Sequence, residues 1–293
     1  MAKEGSIFLN LLNLSPKKIE DIIFAFKDPQ RILDVKRRDL RGILSLRDND
    51  AEEILTAQNS GVLDRELGLI SKEKIEVIDI FDENYPSFLK EISYPPLVLY
   101  IKGDSGVLNK TLFAIVGTRI PTFYGISMAE DFSCKLSSLG FVIVSGLARG
   151  IDTAAHKGAI KKGETVAVLG SGLLNIYPGE NKKLAQKISE KGAIISEFPL
   201  GEPPLRENFP RRNRIVSGLS RGVLVVEAAI RSGALITARL ALEQNREVFA
   251  LPGKADSPLS KGTHSLIKEG AKLVDSLEDI LEELNMSAAS IVL

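Results

Sequence analysis

The chain has 293 residues, 44% of them hydrophobic, and its 38 basic residues balance 38 acidic ones to a formal net charge of zero. That length and apolar content support a sizeable core and two domains of unequal size, and any anion-binding role must come from clustered rather than overall charge. A single cysteine, Cys134, excludes an internal disulfide and a thiolate zinc site, as suits a reducing compartment.

The opening residues Met1-Ala2-Lys3-Glu4-Gly5 lack the basic-then-apolar pattern of a secretion signal, and no apolar run approaches the length of a membrane span. A soluble, cytoplasmic protein without membrane contact is expected. Residues 6 to about 72 read as short helices. Ser15-Pro16 predicts an N-cap with proline at the first helical position, ahead of Ile19, Ile22, Ile23 and Phe26 at helical spacing. Asp28-Pro29 repeats the device before Ile32 and Leu33, and a third helix is expected around Leu40 to Leu44. Asp50 is expected to cap a helix holding Ile54 and Leu55, which Gly61 ends. Residues 1–72 are assigned on this basis to a small all-helical domain, SAM- or helix-hairpin-helix-like. Leu14-Ser15-Pro16-Lys17-Lys18 and Ile43-Leu44-Ser45-Leu46 faintly suggest helix-hairpin-helix turns, without the glycines whose amides would hold a phosphate.

From about Lys74 the period changes. Ile75, Val77 and Ile78-Asp79-Ile80 predict a strand, Pro86 opens a short helix with Phe88, Leu89 and Ile92, and Leu97-Val98-Leu99-Tyr100-Ile101 predicts a buried strand ended by Gly103. Strands then alternate with helices: Phe113–Val116, Phe141–Val144, Val166–Leu169, Ala193–Ile195, Val223–Val226 and Val248–Leu251. Short continuous apolar runs at this spacing are the signature of a parallel sheet covered on both faces. Residues 73–293 are therefore expected to form an α/β domain with a doubly wound, Rossmann-like parallel sheet.

Four of these strands end in turns of small residues: Gly117-Thr118-Arg119, Ser145-Gly146-Leu147-Ala148-Arg149-Gly150, Gly170-Ser171-Gly172, and Ser232-Gly233-Ala234 beyond Glu227 and Ala228. Ligands of open α/β sheets bind at the carboxyl ends of the strands, where glycines admit close backbone approach and helix N-termini attract anions. Arg119 and Arg149 add forked cations to those turns. The alternative is that the glycines serve only strand–helix packing. The stretch Phe209-Pro210-Arg211-Arg212-Asn213-Arg214 then places one aromatic among three arginines. A ring for any base and guanidinium forks for phosphates are what a single-stranded nucleic-acid groove needs. The competing assignment is a solvated basic turn that opens a helix, with Phe209 as its staple.

Catalytic constellations are scarce. Asp152 and His156 stand at i and i+4 on an expected helix and are read as a helix-stabilising pair. Ser145 lacks the spacing of a nucleophile elbow. Glu197 and Glu227 follow strands and are placed to hold an arginine of the basic cluster. No metal-ligand pattern is present, and no cofactor is expected.

As a set, these motifs closely resemble the DNA-processing protein A family (DprA, also called Smf). The matching residues are Val116-Gly117-Thr118-Arg119 with Tyr124-Gly125, Val144 through Asp152 with Ala155-His156, Tyr177-Pro178 with Asn181, and Ser196-Glu197. They continue with Phe209 through Arg214, Val225-Val226-Glu227-Ala228, Ser232 through Arg239, and Leu251-Pro252-Gly253, in order over about residues 85 to 275. The resemblance implies a non-enzymatic, cytoplasmic protein that binds and protects incoming single-stranded DNA. It would then load a RecA-type recombinase in recombination, natural transformation and competence. Carried over residue by residue, Gly117, Thr118 and Arg119 hold a phosphate, Ser145 and Gly146 line the same pocket, with Arg149 beside it, and Phe209 meets a base. Arg211, Arg212, Asn213 and Arg214 border the groove, some of them bracing the fold instead.

Leu174 stands where the family usually has an aspartate, and His264 where many members have asparagine. The winged-helix domain that some members append is not expected after the helix near Leu277 to Leu284. The rival assignment is a Rossmann-like nucleotide-processing enzyme of the phosphoribohydrolase type, whose Gly-Gly-x-Gly-Thr run is not found here. Finally, Gly262 to Gly270 predicts a short helix on which the adjacent Leu266 and Ile267 point about 100° apart, so one core face does not easily bury both. Either they fill a corner between helix and sheet, or the second joins His264 and Leu273 in a self-complementary patch. The family pairs through this region, which implies a homodimer.

Overall fold

The computed structural model describes residues 3–286; residues 1–2 and 287–293, the outer ends of the two expected segments, lie outside the described residues. The leading segment contains α1 (Glu4–Leu11), α2 (Pro16–Phe26), a 3-10 turn (Pro29–Leu33), α3 (Arg37–Leu40), α4 (Asp48–Gln58) and α5 (Val62–Glu73). Pro16 opens α2 as expected, but the Ser15 side chain makes no capping bond. The Asp28 carboxylate does cap, accepting from the Gln30 amide. Asp50 differs from expectation: it sits in the third position of α4 and reaches back to the Arg47 amide at 2.7 Å. The third helix ends at Leu40, where it was expected to begin. Gly61, at φ 67°, precedes α5 instead of closing α4.

The remainder alternates as β1 (Glu76–Asp79), α6 (Ser87–Lys90), β2 (Val98–Gly103), β3 (Leu112–Val116), α7 (Phe123–Ser138), β4 (Val142–Ser145), α8 (Ile151–Ala159) and β5 (Thr165–Val168). It continues with α9 (Lys182–Lys191), β6 (Ala193–Ser196), α10 (Asn208–Gly218), β7 (Gly222–Val225), α11 (Gly233–Glu243), β8 (Glu247–Ala250), α12 (Lys261–Lys268), β9 (Lys272–Leu273) and α13 (Leu277–Glu283). The nine strands form one sheet in the order β1-β2-β6-β5-β4-β3-β7-β8-β9. Every pair from β6 to β9 is parallel, as the apolar runs predict. The β1–β2 and β2–β6 pairs are antiparallel, so the sheet is mixed at one edge.

From β3 the chain builds outward through β4, β5 and β6, then returns to lay β7 on the other side of β3. The order therefore reverses between β4 and β7, and the crevice at the carboxyl end of β3 is the topological switch point. One sheet face is covered by α10, α11 and α12, whose Ile215, Val216, Ala238 and Leu266 meet Val116, Val144 and Val225. The other is covered by α7, α8 and α13 over β3, β4, β7 and β8, and by α9 over β5 and β6. The leading helices share that second layer: Phe8, Leu9 and Ile54 lie in one buried cluster with Val98, Tyr100 and Ile194. Polar ties cross the same seam, from Ser6 Oγ to Asp79 at 2.8 Å and from the Leu200 amide to Glu66 at 2.8 Å.

Candidate nucleic-acid interface

A cavity of about 1000 Å³ opens at the switch point. Val116, Gly117, Thr118 and Arg119 bring β3 to it, Gly146 and Ala148 bring the turn after β4, Ser232 and Gly233 bring the start of α11, and Phe209, Arg212 and Asn213 bring α10. A smaller cleft of about 530 Å³ lies among the leading helices, lined by Glu52, Glu53 and Arg65, and shares no lining residue with the first.

Helical periodicity divides the basic cluster. Positions 209, 212, 213 and 216 share one face of α10 and line the cavity. Arg211 points elsewhere, its guanidinium 5.3 Å from the Phe198 ring centroid. Arg214 turns to the opposite side, into an ion pair with Glu197 at 2.5 Å. Of the two acidic residues expected to hold an arginine, Glu197 thus does so. Glu227 does not: its carboxylate accepts from the Thr122 amide at 2.9 Å and the Thr122 hydroxyl at 2.6 Å, fixing the start of α7.

Phe209 is half-buried, its ring resting on Gly170, where a Cβ would come within 2.8 Å of Cδ1. Tyr177 flanks it at 5.7 Å between centroids, and the Arg119 guanidinium lies 5.6 Å from its centre. Arg212 is only 4% exposed. Its Nη1 donates to the carbonyls of Gly146, at 2.7 Å, and Val168. A Cβ on residue 146 would stand 2.5 Å from that guanidinium, so the glycine there makes room for the arginine. Burial pulls the Arg212 pKa down to about 10, with Asp152 opposing and Arg119 reinforcing the shift, so it stays charged near neutrality.

The amide cradles are less available than the turns suggest. The Thr118 amide donates to the Glu227 carbonyl at 2.8 Å. The amides of Gly146 and Ala148 donate to Asp152 at 3.1 and 3.3 Å. Asp152 is buried, which raises its pKa, and it does not pair with His156 as expected. The His156 ring instead meets Thr165 Oγ1 through Nδ1 at 2.7 Å. Ser145 is fully buried and donates to the Ile115 carbonyl at 2.7 Å, so it lies beneath the cavity and not in its lining. Arg149 is drawn outside by Glu180, with Nη2 at 2.8 Å from Oε2. The turn Gly170-Ser171-Gly172 closes on the segment after β6 through the Gly172 amide and Glu202 carbonyl, 2.9 Å apart. The fourth turn is different: Ser232 gives α11 no side-chain cap, and the helix start lines the cavity.

Four arginines therefore line the cavity, Arg119, Arg206, Arg212 and Arg231, against one carboxylate, Asp152, which is engaged with amides. Arg206, Arg231 and the ring of Tyr177 were not assigned to the site from sequence. The two arginines stand next to motifs that were: Arg206 three residues before Phe209, Arg231 just before the Ser232 turn. Among the described residues no cluster of side chains suits a metal ion, and no helix is long and apolar enough to cross a membrane.

Leu266 of α12 is buried and Ile267 packs partly against the same core. His264 Nε2 lies 3.1 Å from the Gly253 carbonyl, and Leu273 is 42% exposed.

The family model described as DNA recombination-mediator protein A matches residues 76–285. Protein Smf of Escherichia coli is 52% identical over 204 residues, which are 69% of this chain and 54% of the relative, so the chain matches about half of that protein's length. The X-ray structure of DNA processing protein A from Streptococcus pneumoniae superposes with a TM-score of 0.86 at 37% identity, covering 97% of this chain and 98% of that one. A structure of DNA processing protein A from Helicobacter pylori, described for its single-stranded DNA binding mode, superposes at 0.66 with 33% identity, covering 72% and 96%. The family match takes in the whole mixed sheet and the helices that build the cavity, and the chain belongs to the DNA recombination-mediator protein A family.

Proposed function

We propose that the switch-point cavity binds single-stranded DNA, and that the protein acts without enzymatic chemistry, protecting the strand and loading a RecA-type recombinase on it in recombination and natural transformation. One observation carries this reading: an aromatic pair, Phe209 and Tyr177, stands among four lining arginines whose only carboxylate neighbour in the lining is already engaged. Rings stack on any base, and forked cations follow a backbone without reading sequence. The mediator description of the family and the strand-binding description of the Helicobacter pylori relative support it. Arg119, Phe209, Arg206 and Arg231 contact the strand in this reading. Gly117, Thr118, Gly146, Arg212 and Asn213 shape its floor. Ser145, Arg149, Arg211 and Arg214 support the site from outside. The protein works in the cytoplasm as a homodimer, through the face carrying His264, Ile267 and Leu273.

The test is fluorescence anisotropy with single-stranded and duplex oligonucleotides at two salt concentrations. Neutralising about four phosphates gives a slope of log K on log salt near −3. Equal affinity for duplex, or a flat salt response, overturns the reading. Release of free base from nucleoside monophosphates would point to a phosphoribohydrolase instead.

A further inference from the structure

We propose that the outer surface of α8 and α9 is a lysine track along which a single strand continues after it leaves the cavity. This rests on the reading of the cavity as a single-strand site.

Two hydrogen bonds set the helices side by side and parallel. Asn181 Nδ2, at the start of α9, donates to Thr153 Oγ1 in the first turn of α8 at 2.8 Å. Lys191 Nζ, at the end of α9, donates to the Ile160 carbonyl that follows α8 at 3.0 Å. With both ends tied, Lys157 in the last turn of α8, between the two ties, stands beside α9. Leu184, Ala185 and Ile188 turn inward, which leaves Lys182, Lys183 and Lys187 on the solvent side. Lys157 is the one exposed residue of α8, and Lys162 follows just past its end.

Nearby carboxylates do not neutralise this surface. Glu130 pairs with Lys161 and Glu164 with Lys110, each at 2.7 Å, and Glu180 pairs with Arg149. Glu190 accepts from the neutral Gln186 amide at 3.2 Å and keeps its charge, one carboxylate against five lysines. Among the described residues, Lys157, Lys162, Lys182, Lys183 and Lys187 make no ion pair and no side-chain hydrogen bond. In a chain of zero net charge, such a group is not a by-product of composition.

Position favours a nucleic-acid strand over an acidic protein. Tyr177 lines the cavity beside Phe209, and only Pro178 to Asn181 separate it from the first lysine of α9. A strand passing over Tyr177 is delivered to Lys182 and Lys183. Lysines are compact point charges suited to phosphates at variable positions, and the outer face offers no ring for a base. Ten helical residues extend about 15 Å, room for two or three phosphates of an extended strand.

The experiment compares the parent with the exposed double variant Lys183→Glu, Lys187→Glu, using thymidine oligonucleotides of about six and about twenty nucleotides, with circular dichroism as the folding control. The parent is expected to bind the longer strand with a salt slope steeper by about 1–2. The variant should bind the short strand within about twofold of the parent, bind the long one about tenfold more weakly, and lose the extra slope. Unchanged binding of the long strand overturns the track and leaves the lysines to an acidic protein. An equal loss for both lengths overturns it as well, since the effect would not be confined to the outer surface. A parent that fails to bind the short strand removes the cavity reading, whereas one that binds it and gains nothing from added length removes the track alone.

Discussion

The guanidinium of Arg119 stands 5.6 Å from the centre of the Phe209 ring, so the cation delivered by β3 and the aromatic delivered by α10 meet across the switch-point crevice. An exposed cation–ring contact contributes roughly 0.5–1 kcal/mol, less than a stacked base at about 1–3 kcal/mol. A strand can therefore replace it, with the ring taking a base and Arg119 a phosphate. Arg119→Ala is expected to weaken single-strand binding about tenfold and to reduce the salt slope by about 0.7, the share of one phosphate. Arg119→Lys should keep the slope while losing part of the affinity, because the charge stays and the fork goes. An unchanged slope in the alanine variant would take Arg119 away from the backbone.

Phe209→Ala should behave differently. The ring is held by Gly170 beneath and Tyr177 alongside, so its removal deletes a preformed stacking surface. The expected loss is about 1–3 kcal/mol of affinity with an almost unaltered salt slope. Titrations of a folded variant across several salt concentrations separate the two terms. A variant that binds as tightly as the parent would show that no base uses this ring.

Arg212 and Arg211 are neighbours in sequence with opposite expectations for stability. Arg212→Met leaves the carbonyls of Gly146 and Val168 without their buried donor, at about 1–3 kcal/mol for each group left unpaired. Arg211 is exposed and contacts only the Phe198 ring, so Arg211→Ala should cost no more than about 1 kcal/mol. Denaturant melts of the two variants make the comparison, and equal losses would contradict the bracing role of Arg212.

That contrast also marks where sequence reading stops. The strands from Leu112–Val116 to Glu247–Ala250 were visible because a strand buried on both faces is one short apolar run, whatever its neighbours. The direction of β2 was not: its antiparallel pairing follows from its connections, which leave no trace in its composition. In the basic cluster, residue types pointed to a nucleic acid as the expected ligand class, but the separation of 209, 212 and 213 from 211 and 214 needed the helix phase, which a reading as a basic turn conceals. The glycine turns raised the expectation of backbone approach to a ligand. They did not show that the Thr118 amide is taken by the Glu227 carbonyl, a contact between residues far apart in the chain.

His156 gives a pH prediction. The Thr165 hydroxyl donates to the Ile143 carbonyl at 2.6 Å, so it accepts from His156 Nδ1–H, and Nε2 is left buried without a partner. Burial first, and the nearby Arg212 second, hold the pKa down to about 3. Below about 6.5 the unfolded chain takes up a proton that the folded one refuses, so this group's stability is full above that pH and falls as pH drops towards 3. The slope is at most about 1.4 kcal/mol per pH unit. Asp152, whose pKa is raised, acts in the opposite sense, so the group must be isolated by difference. His156→Gln should narrow the gap between melts at pH 7 and pH 5 relative to the parent, and an identical gap in both would deny His156 this role.

The α12 face can be tested because its residues differ in burial. Leu266 fills the core, Ile267 is only partly packed on it, and Leu273 on β9 is 42% exposed. Two-fold pairing would cover Leu273 and the free side of Ile267, with His264 held in place by its contact to Gly253 at 3.1 Å. Leu273→Glu touches no core contact and should fold with a melting temperature close to that of the parent. If the face is the dimer contact, that variant sediments as a monomer at concentrations where the parent is dimeric, and it binds long single strands less cooperatively. Ile267→Glu should do the same at some cost in stability, and its unfolding would instead assign Ile267 to the core. A parent that is monomeric at tens of micromolar, or a Leu273→Glu protein that remains dimeric, would rule out this face as the contact between subunits.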